Sequence, residues 1–337
     1  DIKQMVNGWF VKSMPDLNQK QPQLLKYLTQ NAIWWVEYAD LSGFRVDTYP
    51  YNSRDEVTQW SKAIMDEYPN FSIVAESWLL NPVHLSYWQK DSPIAALSGF
   101  NSHVTHVKDF ALYDAVQRVF TTETPWWDQK MNKLYKVFQN DFLYANPKNL
   151  MVFLENHDTT RINQVLADFD EYKMVTTLLA TVRGVPQTYY GTEISMEGLK
   201  ENGDADLRRD FPGGWPDDSK SAFTSEGRTK RENEYYNFTA TLFNWRKNET
   251  VIHHGNTMHY SPKNEVYTYF RYNDDKTIMV ILNANKEKQQ LNFSRFNERI
   301  GSATVGEDVF TKANISLTDS LELPAKSTKI ISFKNQN

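Results

Sequence analysis

Apolar positions recur along this chain with two periods. Between 22 and 41, Leu24, Leu25, Leu28, Ile33, Trp35 and Val36 return every three or four residues, which predicts a helix stopped by Ser42-Gly43. FRVDT follows as a short strand. SRDEVTQWSKAIMDEYP predicts a second helix, with Ser53 placed to cap it and Glu56 three residues on. FSIVAES (71–77) is a second short apolar strand that ends in acid, and HVTHV a weaker one before the helical KDFALYDAVQRVF. A helix over 127–144 leads into NLMVFLENHD, an apolar run that stops abruptly on Glu155, Asn156, His157 and Asp158. EYKMVTTLLATVRG predicts a helix ending at Gly184, and PQTYYGTE another strand. Residues 199–218 form a Gly/Asp/Pro-rich loop, and 231–248 a last helix.

Strands alternating with helices imply βαβ units and a parallel sheet, whose strands, buried on both faces, read as continuous apolar runs. After about Val251 the character changes: VYTYFRY, TIMVILNAN, QQLNF and TKIISF are β-type segments separated by turns. The expected organisation is therefore an α/β domain over 1–250 and a small all-β antiparallel domain over 251–337.

The 337 residues are enough for roughly two domains, and a formal charge of -5 gives no support for a nucleic-acid partner. No apolar run is long enough to span a bilayer. Absence of cysteine excludes disulfides and thiolate metal sites. Aromatic residues are abundant (10 Trp, 18 Tyr, 19 Phe), and their flat rings suit both core packing and sugar faces. The opening DIKQMVNGWF has no initiator Met, basic stretch or apolar stretch, so the chain is expected to begin inside a longer protein.

Candidate chemistry lies at the strand ends. Asp47 ends FRVD, Glu76 ends IVAE and Asp158 follows FLENH; Arg45, two residues before Asp47, projects from the same side of its strand. In a (β/α)8 barrel such ends share one face. Three carboxylates and an arginine in one cleft suit glycosidic-bond hydrolysis, where one acid stays protonated for the leaving oxygen and another stays ionised. A metal site at Asn156-His157-Asp158 is the rival, although adjacent residues on an extended chain point apart. Singly, each acid also reads as a helix cap or strand terminus, Arg45-Asp47 as a structural ion pair and His157 as a loop histidine; Glu155 is read as structural.

GFRVDT, VAESW and FLENHD resemble three ordered signature segments of the α-amylase family of retaining glycoside hydrolases. MPDLN (14–18) resembles the family's motif after the third barrel strand, and GVPQTYYGTE its eighth-strand motif. MPDLNQ, NAIWWVEYADLSGFRVDTYPY and RRDFPGGW together look most like starch-utilisation neopullulanases and cyclomaltodextrinases of Bacteroides-type bacteria. The resemblance implies the C-terminal portion of a (β/α)8 TIM barrel, about strands 4–8, followed by an antiparallel β-sandwich. It implies Asp47 as nucleophile, Glu76 as general acid/base, Asp158 as the third carboxylate, Arg45 beside the nucleophile and His157 on substrate hydroxyls. The implied substrate is an α-glucan oligosaccharide, pullulan or cyclodextrin, cleaved by double displacement in a periplasmic or secreted setting. No cofactor is required for that chemistry, and calcium, common in the family, has no assignable ligand set here. Pro50 and Tyr51 stand where α-1,4-specific hydrolases often carry Lys-His, so the acceptor side must differ. The family's Asn-His signature on the third strand is absent, which leads to an expectation of a truncated barrel. Its open edges would be covered by self-association or an N-terminal segment, and its turnover would be impaired. A transglycosylase and a glucan-binding protein without turnover are the alternatives.

Overall fold

The computed structural model describes residues 8–122 and 130–335, which pack as two compact units, Asp1–Ala111 with Asn140–Val152, and Leu112–Gln139 with Phe153–Asn337.

In the first unit, β1 (Trp9–Val11) and β2 (Met14–Pro15) form a small antiparallel hairpin. The helix Pro22–Ala39 begins with proline at its first position, where the missing N–H costs nothing. It ends earlier than Ser42-Gly43, at Asp40, which takes a left-handed conformation (φ 52°) and returns its N–H to the Val36 carbonyl. Next comes β3 (Gly43–Val46), then the helix Arg54–Glu67 and β4 (Ser72–Ala75). The expected Ser53 cap is not formed. Its hydroxyl instead meets the Glu56 carboxylate, so the serine binds the side chain rather than a free helix N–H. The strand in HVTHV shrinks to β5 (His106–Lys108), because His103 already sits at φ 59°. β6 (Leu150–Phe153) is the apolar run that precedes Glu155. These strands pair in parallel and in chain order, β3 with β4, β4 with β5 and β5 with β6. Among the described residues β3 is the first strand of that order and lies at its edge.

The second unit contains the helix Phe110–Thr121 and, of the helix expected over 127–144, the turns Met131–Phe138; residues 127–129 lie outside the described residues. The helix Phe169–Thr181 stops three residues before Gly184 and is followed by β7 (Val185–Gln187). The strand expected through PQTYYGTE ends there. Tyr and Thr favour strands locally, but Gly191 at φ 82° and Ser195 at φ 60° turn the chain into a short 3-10 helix, Thr192–Ile194.

After the helix Lys230–Lys247, Val251 belongs to a further short helix, Thr250–His254, so the β region begins at β8 (Asn256–Lys263). The strands β9 (Val266–Tyr272), β10 (Lys276–Asn283), β11 (Gln289–Asn292), β12 (Val305–Asp308), β13 (Asn314–Ser316), β14 (Ser320–Leu323) and β15 (Ser327–Lys334) complete it. Six of these form an antiparallel sheet in the order β13-β12-β15-β10-β9-β8, and β11 pairs with β14. Phe270, Met279, Ile281, Phe293, Phe296 and Ile331 fill its core.

Candidate active site

Each strand that ends in acid delivers its carboxylate to a defined local network. In the first unit, Arg45 on β3 reaches both acids: its guanidinium lies 2.5 Å from Asp47 Oδ1 and 2.5 Å from Glu76 Oε1. The two carboxylates differ in setting. The Asp47 side chain is 61% exposed and that of Glu76 only 5%. Burial pushes the Glu76 carboxyl above its usual range, and a hydrogen bond with Asp47 pushes it the same way; the Thr48 amide and Arg45 pull it back. That asymmetry suits acid/base chemistry, with burial favouring the neutral form of one group beside a solvated partner.

The turn after Asp47 is strained. Thr48 adopts φ 47°, a costly conformation for a β-branched residue, and its amide donates to Glu76 Oε2 at 3.2 Å. Tyr49 then anchors the turn: fully buried, it shares a 2.9 Å hydrogen bond with Ser61, and burial raises its hydroxyl to about 12. Trp78, two residues after Glu76, stacks on Phe110 at 4.7 Å and leaves 39% of its surface exposed.

In the second unit, FLENHD divides into one structural and several presented groups. Glu155 is fully buried and accepts from the Ile162 amide and the Thr192 hydroxyl; Arg161 Nη1 lies 3.5 Å away. Burial pushes its carboxyl up, and those three partners oppose the shift. Asn156 folds the segment, its side-chain oxygen accepting from the Asp158 amide at 2.8 Å and its amide donating to Thr159 Oγ1 at 2.9 Å. This turn presents Asp158, which holds His157 Nε2 at 3.0 Å and Arg208 Nη2 at 2.7 Å. Among the described residues no group of three or more His, Asp or Glu is placed to hold a metal ion.

Two arginines were missed by sequence reading. Arg208, in the loop 199–218, donates to both Asp158 and the His157 carbonyl (3.0 Å) and pairs with Asp204 at 3.1 Å. Arg161, fully buried, donates to the carbonyls of Tyr190 (2.6 Å) and Leu207 (3.0 Å), and its guanidinium lies 3.9 Å from the centre of the Tyr189 ring. Arg161 therefore fixes the residue next to Arg208. The only sequence signal was the pair Arg208-Arg209 in a glycine-rich loop.

Residues 4–255 match the model of the alpha amylase catalytic domain, and residues 257–332 that of the cyclo-malto-dextrinase C-terminal domain. The chain belongs to the alpha-amylase family. Among relatives of this family member, the cyclomaltodextrinase of Geobacillus thermopakistaniensis is 25% identical over 288 residues, covering 84% of this chain and 43% of that protein. The maltogenic alpha-amylase of Bacillus acidopullulyticus is 24% identical over 334 residues, covering 96% and 50%. The chain thus spans about half the length of the curated relatives it matches. Among solved structures, the alpha-amylase of Geobacillus thermoleovorans complexed with acarbose superposes with a TM-score of 0.81 at 22% identity, covering 100% of this chain and 69% of that one. The cyclic alpha-maltosyl-(1→6)-maltose hydrolase of Arthrobacter globiformis gives 0.70 at 15%, covering 95% and 62%. These likenesses establish the amylase fold with its C-terminal antiparallel sheet.

Proposed function

We propose that this α-amylase-family chain carries the reacting groups of a retaining glycoside hydrolase acting on α-glucans, namely starch oligosaccharides, pullulan or cyclodextrins. The observation that carries the reading is Arg45, bound at 2.5 Å to both an exposed Asp47 and a buried Glu76 whose proton is held by burial. In this reading the parallel strands are about the fourth to the eighth of a (β/α)8 barrel.

Asp47 attacks the anomeric carbon as that carbon's bond to the leaving oxygen breaks, and Glu76 gives its proton to that oxygen. Water then attacks the same carbon, Glu76 takes the water's proton, and the ester to Asp47 breaks. Asp158, steadied by His157 and Arg208, binds sugar hydroxyls. None of these steps calls on a cofactor.

The test is the anomeric configuration of the first product of maltoheptaose or β-cyclodextrin, followed by NMR. Retention is expected, with loss of turnover in Asp47→Asn and rescue of Glu76→Ala by azide as an α-glycosyl azide. Inversion, or full activity of Asp47→Asn, would overturn the assignment. A transferase reading is favoured by the cyclomaltodextrin glucanotransferases among the relatives, one from Geobacillus stearothermophilus at 24% identity. It uses the same two steps with a sugar hydroxyl in place of water, and is recognised by longer products at high acceptor concentration.

A further inference from the structure

A cavity in the second unit has no role in the chemistry above. It measures about 400 Å3 and is walled by Tyr190, Glu193, Phe211, Phe223, Arg228 and Tyr236. We propose that it is an additional α-glucan binding site, holding sugar away from the reacting bond; the ligand class rests on the function proposed above.

Three observations support this. First, the walls expose aromatic rings to water: Phe223 is 65% exposed, Tyr190 40% and Tyr236 38%. A cluster of exposed rings on a protein surface marks a ligand site more often than a packing defect. Second, polar groups stand among the rings. Arg228 lies 3.9 Å over Tyr236, and Glu193 is partly withdrawn from water, its carboxyl raised by that burial. Ring faces for the C–H side of a pyranose, with a guanidinium and a carboxyl for its hydroxyls, is the chemistry a neutral sugar needs. A phosphorylated ligand would find one cation and one acid among the walls.

Third, the walls are fixed before any ligand arrives. Arg228 Nε donates to Asn233 Oδ1 and its Nη1 to the Ala222 carbonyl, both at 2.9 Å. Tyr190 Oη donates to the Arg209 carbonyl at 2.7 Å, and Phe211 packs on Phe223 at 4.7 Å. The loop closes on itself through Ala222 N to Pro212 O at 2.8 Å, and a Cβ at Gly227 would stand 1.8 Å from the Ser221 carbonyl oxygen. Little ordering entropy remains to oppose binding. The volume falls within the roughly 300–1,000 Å3 of small-ligand sites, too small for a protein helix. Arg208 faces Asp158 while the neighbouring Arg209 carbonyl is held by Tyr190, so one loop borders both places.

The experiment is calorimetry with maltoheptaose, every protein carrying Asp47→Asn so that the sugar is not turned over, on the otherwise wild-type chain, Asp158→Asn, Phe223→Ala and the double variant. Two classes of binding are expected in the first. Asp158→Asn should remove one and leave the other, and adding Phe223→Ala should weaken the remaining class about tenfold. Phe223→Tyr, which keeps the ring, should bind like the wild type, and unchanged melting of each variant excludes unfolding. If Phe223→Ala leaves binding unaltered in the Asp158→Asn background, or that background binds nothing, the cavity is not a glucan site. If Asp158→Asn changes nothing while Phe223→Ala removes all binding, the cavity stands and the role given to Asp158 falls.

Discussion

Replacing Arg161 by methionine removes a buried guanidinium that holds Leu207, next to the Arg208 that binds Asp158. The variant loses hydrogen bonds to Tyr190 and Leu207, a ring contact at 3.9 Å and the cation facing Glu155. Breaking a fully buried pair in this way costs about 3–5 kcal/mol, because the surviving charge has lost its partner. A shift of about 10 °C in the melting of this unit is expected from such a loss. Glu155 can escape part of the cost by taking a proton, which burial already favours. A carboxyl raised above its unfolded value supports the fold below that unfolded value and loses this support as pH rises through the folded one. The Arg161→Met deficit should therefore be larger at pH 8 than at pH 5, and Glu155→Gln in the same background should recover most of it at pH 8. Denaturant unfolding at the two pH values measures both. A loss below about 1 kcal/mol at both, or a larger loss at pH 5, would refute the argument.

Three further outcomes are expected. His259 packs on Phe138 and bonds Tyr267 at 2.6 Å, and burial holds its imidazole down to about 3. It supports the fold above about pH 6.5 and loses this as pH falls toward 3, by about 1.4 kcal/mol per pH unit; His259→Gln should flatten acid denaturation in that window, and an unchanged slope would count against it. Arg45→Leu removes a cation that lowers Glu76, so the alkaline limb of the pH–rate profile should move to higher pH as kcat falls; movement to lower pH contradicts the assignment. Arg208→Ala should weaken maltoheptaose binding about tenfold through Asp158 with little effect on melting, since the Arg208 side chain is 42% exposed; calorimetry beside a melting curve separates this from unfolding.

The cluster of Arg45, Asp47 and Glu76 was legible because apolar runs that stop on charge are unusual. Arg45 and Asp47 share a side of one strand, and the pair forms as that spacing requires. Arg161 and Arg208 were not legible. Their partners lie up to 51 positions away, and an arginine in a polar loop looks the same whether it is solvated or holds a carboxylate. β8 was passed over because Pro262 and a mixed polar pattern disguise a strand that lies at the sheet edge, where proline is tolerated. Ser53 had the composition of a cap without its geometry, since a nearby glutamate competed for the hydroxyl. Glu155 was rightly set apart from its neighbours: it faces inward, and its partners are an amide, a hydroxyl and a buried guanidinium.

Because a single guanidinium serves both acids of the first unit, each acid reports on the other. While Asp47 carries its negative charge, it holds the proton on Glu76 and takes a share of the guanidinium. In the proposed reaction, esterifying Asp47 to sugar would remove that charge and turn the whole cation to Glu76, loosening its grip on a proton. On that proposal, the residue that served as acid would thereby be readied to serve as base, with no movement of the backbone required.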